Sequence, residues 1–267
     1  MISQPKTIGQ ICSKWAVTFV YVCAAATLFS QNAIADDSQA WTLERPLVPF
    51  TARYLVGNNS VVAGQADIEL AQLNSGNEWH YSLSTKPTGL FRLAGKGRVQ
   101  ESATFQVVAN DSASILRPHS YEFRQDNEQK RAVDATFIWE QKRLYFKRGN
   151  NNGAEDIASN TLDRMTMTVA MMSNLDTKFD TITMAIFDGG KLKEVLLTNE
   201  GNETINTQLG DVETVRVRTR SSAGSTRETI TWFAPSLNNI PVRIEQLKNG
   251  GLVARLSINQ YNPTSKP

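Results

Sequence analysis

Apolar and polar residues alternate with a period of two along much of the chain. Ala66, Ile68 and Leu70 alternate with Asp67 and Glu69, and Trp79, Tyr81 and Leu83 with His80, Ser82 and Ser84. Val133, Ala135, Phe137 and Trp139 follow the same rule, as do Leu252, Ala254, Leu256 and Ile258 near the C-terminus. Successive side chains of a strand point to opposite faces, so the pattern predicts sheets with one buried face. Between the alternating runs lie Gly57-Asn58-Asn59, Asn74-Ser75-Gly76-Asn77, Asp188-Gly189-Gly190 and Asn249-Gly250-Gly251. Glycine and asparagine accept the positive φ angles of tight hairpins. The pattern yields about twelve strands with short connections, which favours antiparallel meanders over crossover-linked parallel strands.

One segment departs from this period. From Asn160 to Asn174, Leu162, Met165, Val169 and Met172 recur at three- and four-residue spacing, which predicts a helix. Asn160 or Thr161 would cap it, and Asp163 suits the positive end of its dipole. Gly149 to Ser159, rich in Asn and Gly, reads as an exposed loop. A sheet of this size must curl, split or close to cover its apolar face. The expected fold is therefore mainly β: a large curved antiparallel sheet or half-barrel of about twelve strands, with one helix against its concave face.

The N-terminus carries another signal. Lys6 and Lys14 precede or open an apolar run from Trp15 to Phe29, no acid occurs before Asp36, and Ala33-Ile34-Ala35 has the A-x-A form of a cleavage site. Residues 1–35 read as a signal peptide cut between Ala35 and Asp36, which predicts a periplasmic protein. The apolar run is short for a membrane span, and no second one approaches spanning length. Residues 36–48 then form a lead-in, 49–262 a single curved β domain and 263–267 a tail. Both cysteines, Cys12 and Cys23, fall in the leader, so the mature chain is expected to have no disulfide and no thiolate chemistry. Removing Lys6 and Lys14 from the 28 basic residues leaves 26 against 26 acids, and no basic run suggests nucleic acid.

Catalytic parts are hard to assemble from what remains. No G-x-S-x-G elbow occurs, and the two histidines, His80 and His119, lack a triad context. No ligand spacing typical of zinc or calcium sites is present, so no metal or other cofactor is expected. Gly95-Lys96-Gly97 lacks the spacing of a phosphate loop and reads as a turn or bulge. Glu69, Glu101 and Glu122, in strand-like runs, read as ordinary surface. A pair of carboxylates acting on a glycan stays open, because its spacing is spatial. Arg216, Arg218 and Arg220 share a strand face and either meet anionic headgroups or pair with Glu213, Glu228 and Glu245 across strands. Met165, Met167, Met171 and Met172 make the helix conformable, so it serves either as a plug of the core or as a lid over an apolar cavity.

Leu209 to Val217 (LGDVETVRV), Trp232-Phe233-Ala234-Pro235 and Ile240-Pro241-Val242-Arg243-Ile244-Glu245 together resemble an exported bacterial family, the domain of unknown function 3108. Pro49-Phe50-Thr51-Ala52-Arg53-Tyr54, Leu116-Arg117-Pro118 with Tyr121, and Leu162-Asp163-Arg164 at the helix start fit the same pattern. The resemblance implies a large curved sheet similar to that of periplasmic lipoprotein carriers, which hold acyl chains beneath more than one helix. It brings no catalytic residues. The function expected from these observations is non-enzymatic binding of an apolar or amphipathic ligand, a lipid or lipid-linked glycan, in envelope assembly. Trp79, Tyr81, Leu83, Phe137, Trp139, Met165, Val169 and Met172 are the expected concave lining. The alternatives are an interaction scaffold with a filled core, docking an envelope protein, and a carboxylate-dependent glycan hydrolase.

Overall fold

In the computed structural model, residues 41–264 are described, apart from 59–60, 74–75, 90–96, 111–112, 176–178 and 222–224. The leader with both cysteines, its cleavage site, Gly95 and Lys96 lie outside the described residues, as do the first part of the lead-in and the last three residues of the tail.

The described residues form fifteen strands of one open sheet. Strands β1 (Phe50–Gly57), β2 (Val62–Gln72), β3 (Glu78–Pro87), β4 (Val99–Asn110), β5 (Ala113–Gln125), β6 (Val133–Ile138), β7 (Arg143–Arg148) and β8 (Asn151–Asp156) form an N-terminal meander. Strands β9 (Leu162–Asp163), β10 (Thr181–Phe187), β11 (Leu192–Thr207), β12 (Gly210–Ser221), β13 (Arg227–Ala234), β14 (Ile240–Lys248) and β15 (Gly251–Pro263) form a C-terminal one. The two meanders join at the centre, where β1 pairs antiparallel with β15, so the strand order runs β8 to β1 and then β15 to β9. The short β9 lies parallel to β10.

Register carries one apolar set across the N-terminal wing. Leu70 faces Phe50 and Tyr81, and Ile68 faces Ala52 and Leu83. Phe105 lies opposite Trp79, and Ala103 lies between Tyr81 and Tyr121. Facing residues on neighbouring strands share a side of the sheet, so all of these point inward. The sheet curls until its two wings touch: Phe187 of β10 packs edge-on against Tyr121 of β5 and Phe137 of β6, and tilted against Phe146 of β7. Tyr54, fully buried, donates its hydroxyl hydrogen to Pro241 O at 2.6 Å, tying the two wings near their seam.

The interior is occupied by helix α1 (Arg164–Asn174), the one α-helix among the described residues. It packs against β3, β4, β5, β9 and β10, and eight of its eleven residues are buried. Its cap is Asp163, two or three residues later than the sequence suggests. Residues 151–156, read from sequence as loop, form the edge strand β8. Gly153 there lies flat on Phe146: a Cβ would sit 2.3 Å from the ring. At the other end, Asn238 and Asn239 both hold positive φ between β13 and β14, as a tight reversal requires.

Strand propensity alone says that Gly153→Val should strengthen β8. The ring beneath reverses the sign: we expect a loss of about 1–3 kcal/mol on urea unfolding. Combining Gly153→Val with Phe146→Ala should cost less than the sum of the two single changes.

Candidate functional site

The inward face of the N-terminal wing carries an acid at Glu101. Glu101 is paired with Leu83 on one side and Phe123 on the other, in an otherwise apolar row, and it is 5% exposed. A carboxylate is stable there only if it is fully partnered. Arg164, the first residue of α1, donates from Nε to Oε1 at 2.8 Å and from Nη2 to Oε2, and Tyr121 donates its hydroxyl to Oε1 at 2.8 Å. Arg164 Nε also lies 3.8 Å from Asp188, which Lys193 holds at 2.6 Å. Burial of Asp188 opposes its charge, but Arg164 and Lys193 outweigh that and hold its carboxyl below the usual range. Burial, reinforced by the charge of Glu101, raises the Tyr121 phenol well above its ordinary value.

Next to this group, Asp163 is fully buried and caps α1. Its Oδ1 accepts from the backbone N–H groups of Met165 and Thr166 at 2.8 and 2.9 Å, and its Oδ2 from the Thr166 hydroxyl at 2.6 Å. Burial pushes its carboxyl up to about 6 from 3.8, and the hydrogen bonds only partly offset it. The far end of the helix is tied by Ser173, whose hydroxyl donates to Arg45 O at 2.9 Å and accepts from Arg45 N at 3.1 Å, and by Asn239, which donates to Met172 O at 2.8 Å.

Arg45 belongs to a strap made by the lead-in. Trp41 to Leu43 pair with the lower edge of β5 through the Thr42–Ile115 bridge, and the chain then crosses to β1. Between this strap, the β2–β3 hairpin and the ends of β4 and β5 opens a cleft of about 380 Å³. Leu43, Leu47, Trp79 and Val107 supply its apolar wall, Pro46 and Pro49 stiffen the strap, and Gln72, Asn77 and Ser114 add polar groups. Its volume falls in the range of about 300–1,000 Å³ common for small-ligand sites.

The eight residues expected to line a concave cavity all belong to one packed cluster. Trp79, Tyr81, Phe137, Met165, Val169 and Met172 are each 6% exposed or less, while Leu83 and Trp139 are half-buried against them. Of the eight, Trp79 borders the cleft. Glu69 and Glu122 are exposed, but Glu101 is not the surface acid expected. The period of two held the signal: Val99, Glu101, Ala103 and Phe105 share a face.

On the outer face the arginine row pairs with carboxylates. Arg216 and Arg218 meet Glu200 at 3.1 and 2.5 Å, and Arg218 and Arg220 meet Glu228. Glu200 stands where Glu213 was expected, and Glu245 pairs with Arg255 at 2.6 Å. Arg216 and Arg243 stack on Trp232, whose indole donates to Glu203 at 2.9 Å. His80 is half-buried and contacts the Thr104 hydroxyl at 3.2 Å. His119 sits in β5 at the bulge beside Thr104/Phe105, its buried Nε2 without a hydrogen bond.

The family described as "Protein of unknown function (DUF3108)" matches residues 50–257. No curated protein matches the chain. The crystal structure of a β-barrel-like protein of the domain of unknown function DUF1849 from Brucella abortus shares the fold: TM-score 0.53 at 10% identity, over 83% of this chain and 100% of that one. The crystal structure of MucB gives 0.31 at 9% identity, over 85% and 57% of the two chains. An exported protein with a YmcC-like fold from Bacteroides fragilis gives 0.30 at 12%, over 84% and 100%.

Two changes test the polar joint. Glu101→Gln should cost about 2–3 kcal/mol, below the 3–5 of a fully buried pair because 36% of the Arg164 side chain meets solvent. Glu122→Gln, on an exposed acid 3.9 Å from Arg124, should stay within about 0.5 kcal/mol. Because the folded state holds the Asp163 proton more tightly than the unfolded chain, its contribution is full below pH 3.8 and is lost as pH rises through about 6. Asparagine also caps helices, so Asp163→Asn keeps that role without the charge. Urea midpoints measured from pH 4 to 7 should show the wild type losing stability relative to Asp163→Asn across that window.

Proposed function

We propose, for a chain that belongs to this family of proteins of unknown function, a non-enzymatic binding role outside the cytoplasm, with an apolar or amphipathic ligand held in the strap cleft. The observation that carries this reading is the cleft itself, an apolar-walled space of about 380 Å³ at the mouth of a filled interior. Helix α1 occupies the concave face, so a ligand taken there would have to displace packed side chains. The two buried acids beside the helix are engaged structurally, Glu101 by Arg164 and Tyr121 and Asp163 by the cap, which weighs against acid–base work. The signal-like leader supports export to the periplasm. Among the described residues, no helix is long and apolar enough to cross a membrane.

The filled interior also favours a second reading, an envelope scaffold that docks a protein partner. Native mass spectrometry of the mature protein, followed by organic extraction, separates the two. A co-purifying ligand mass, absent when Val107→Trp fills the cleft, is the expected result. A clean apo mass with no uptake of a fluorescent acyl probe would sink the binding reading and leave the scaffold.

A further inference from the structure

Buried tryptophans normally give their indole N–H a partner. Trp139 donates to Pro118 O at 2.7 Å and Trp232 to Glu203 at 2.9 Å. Trp79 is as deeply placed, 6% exposed, yet among the described residues its indole N–H has no hydrogen-bond partner. Nor is the nitrogen sealed off from the surface, unlike the orphaned His119 Nε2. Trp79 is also one of the four apolar walls of the cleft, beside Leu43, Leu47 and Val107. A donor that reaches solvent beside an apolar wall can exchange water for the acceptor of a ligand lying against that wall.

We infer that the cleft takes a neutral linear amphiphile of the acyl-ester or acyl-amide class, whose carbonyl oxygen accepts from Trp79 Nε1 while its chain lies against Leu43, Leu47 and Val107. This rests on the cleft reading of function and names its ligand class. Three features select that chemistry. The apolar wall matches a hydrocarbon chain. The indole donor, set in the apolar wall, matches an uncharged acceptor next to the chain. The charged residues of the rim, Glu44 and Arg45, sum to zero, so the cleft offers no net positive charge to a free carboxylate.

The test uses the mature protein labelled with ¹⁵N. The Trp79 indole resonance is the one missing from the spectrum of Trp79→Phe, a change that keeps an aromatic ring in the wall and removes the donor. Titration with 1-lauroylglycerol should shift that resonance saturably. Trp79→Phe should weaken binding by about five- to tenfold, the worth of one neutral hydrogen bond. Laurate, the anionic counterpart, should bind more weakly than the ester. Binding that leaves the indole resonance unmoved, or that Trp79→Phe does not weaken, overturns the inference while the cleft reading stands. Tighter binding of laurate overturns the assignment to a neutral ligand. If neither amphiphile binds wild type, the inference falls, and the acyl-probe uptake and native mass measurement decide the cleft reading separately. Circular dichroism of Trp79→Phe distinguishes a lost donor from a lost fold.

Discussion

The contact between Glu101 and Arg164 is the constraint around which the molecule is arranged. A carboxylate on the inner face of a β-sheet needs a cation delivered to it, and this one arrives from the first turn of a helix 63 positions further along the chain. The pair therefore fixes where α1 begins and how deep it sits. The neighbouring Asp163 caps that same turn, and Tyr121 donates a further hydrogen bond to Glu101 Oε1. Phe187, next to Asp188, is thereby brought against the aromatic side chains of β5 to β7. A polar joint and an aromatic cluster thus hold the two wings of the sheet together without closing it into a barrel.

Because the helix is clamped at both ends, the concave face is committed to packing. The outer face is committed differently: a lattice of Arg218, Glu200 and Glu228 beside the Arg216–Trp232–Arg243 stack covers aromatic surface with charged groups. Such partly exposed pairs contribute modestly to stability but keep a broad sheet face from sticking to others. Open space remains where the strap bridges strand ends without filling the gap beneath it.

Much of the fold was legible because a period of two is a direct imprint of strand geometry. Ile68, Leu70, Tyr81 and Phe137 face inward as their alternation predicts, and the Asn-Gly turns reverse the chain. Helix α1 was legible from its methionine spacing, though not its cap, since Asn160, Thr161 and Asp163 are all competent capping residues. Strand β8 was missed because Asn151-Asn152-Gly153 has turn-like composition, and only the ring of Phe146 makes a glycine useful there. The candidate site was less legible. Alternation places Trp79, Tyr81 and Leu83 on one face but is silent on whether that face is filled. The strap leaves no periodic signal, since it is ordered by hydrogen bonds to Ser114 and Ser173 from distant elements.

The seam between β1 and β15 has a temporal consequence. Phe50 pairs with Pro263, 213 positions later, whereas most other strands pair with a sequence neighbour across a short turn. Each wing can begin as local hairpins, but the sheet becomes continuous only when the last strand is available. A chain still being synthesised holds two unfinished halves, each with a bare central edge waiting for the other. The final thirteen residues of strand act as the closing strip of a zip, and truncating them would leave every hairpin but β14–β15 possible and the molecule incomplete.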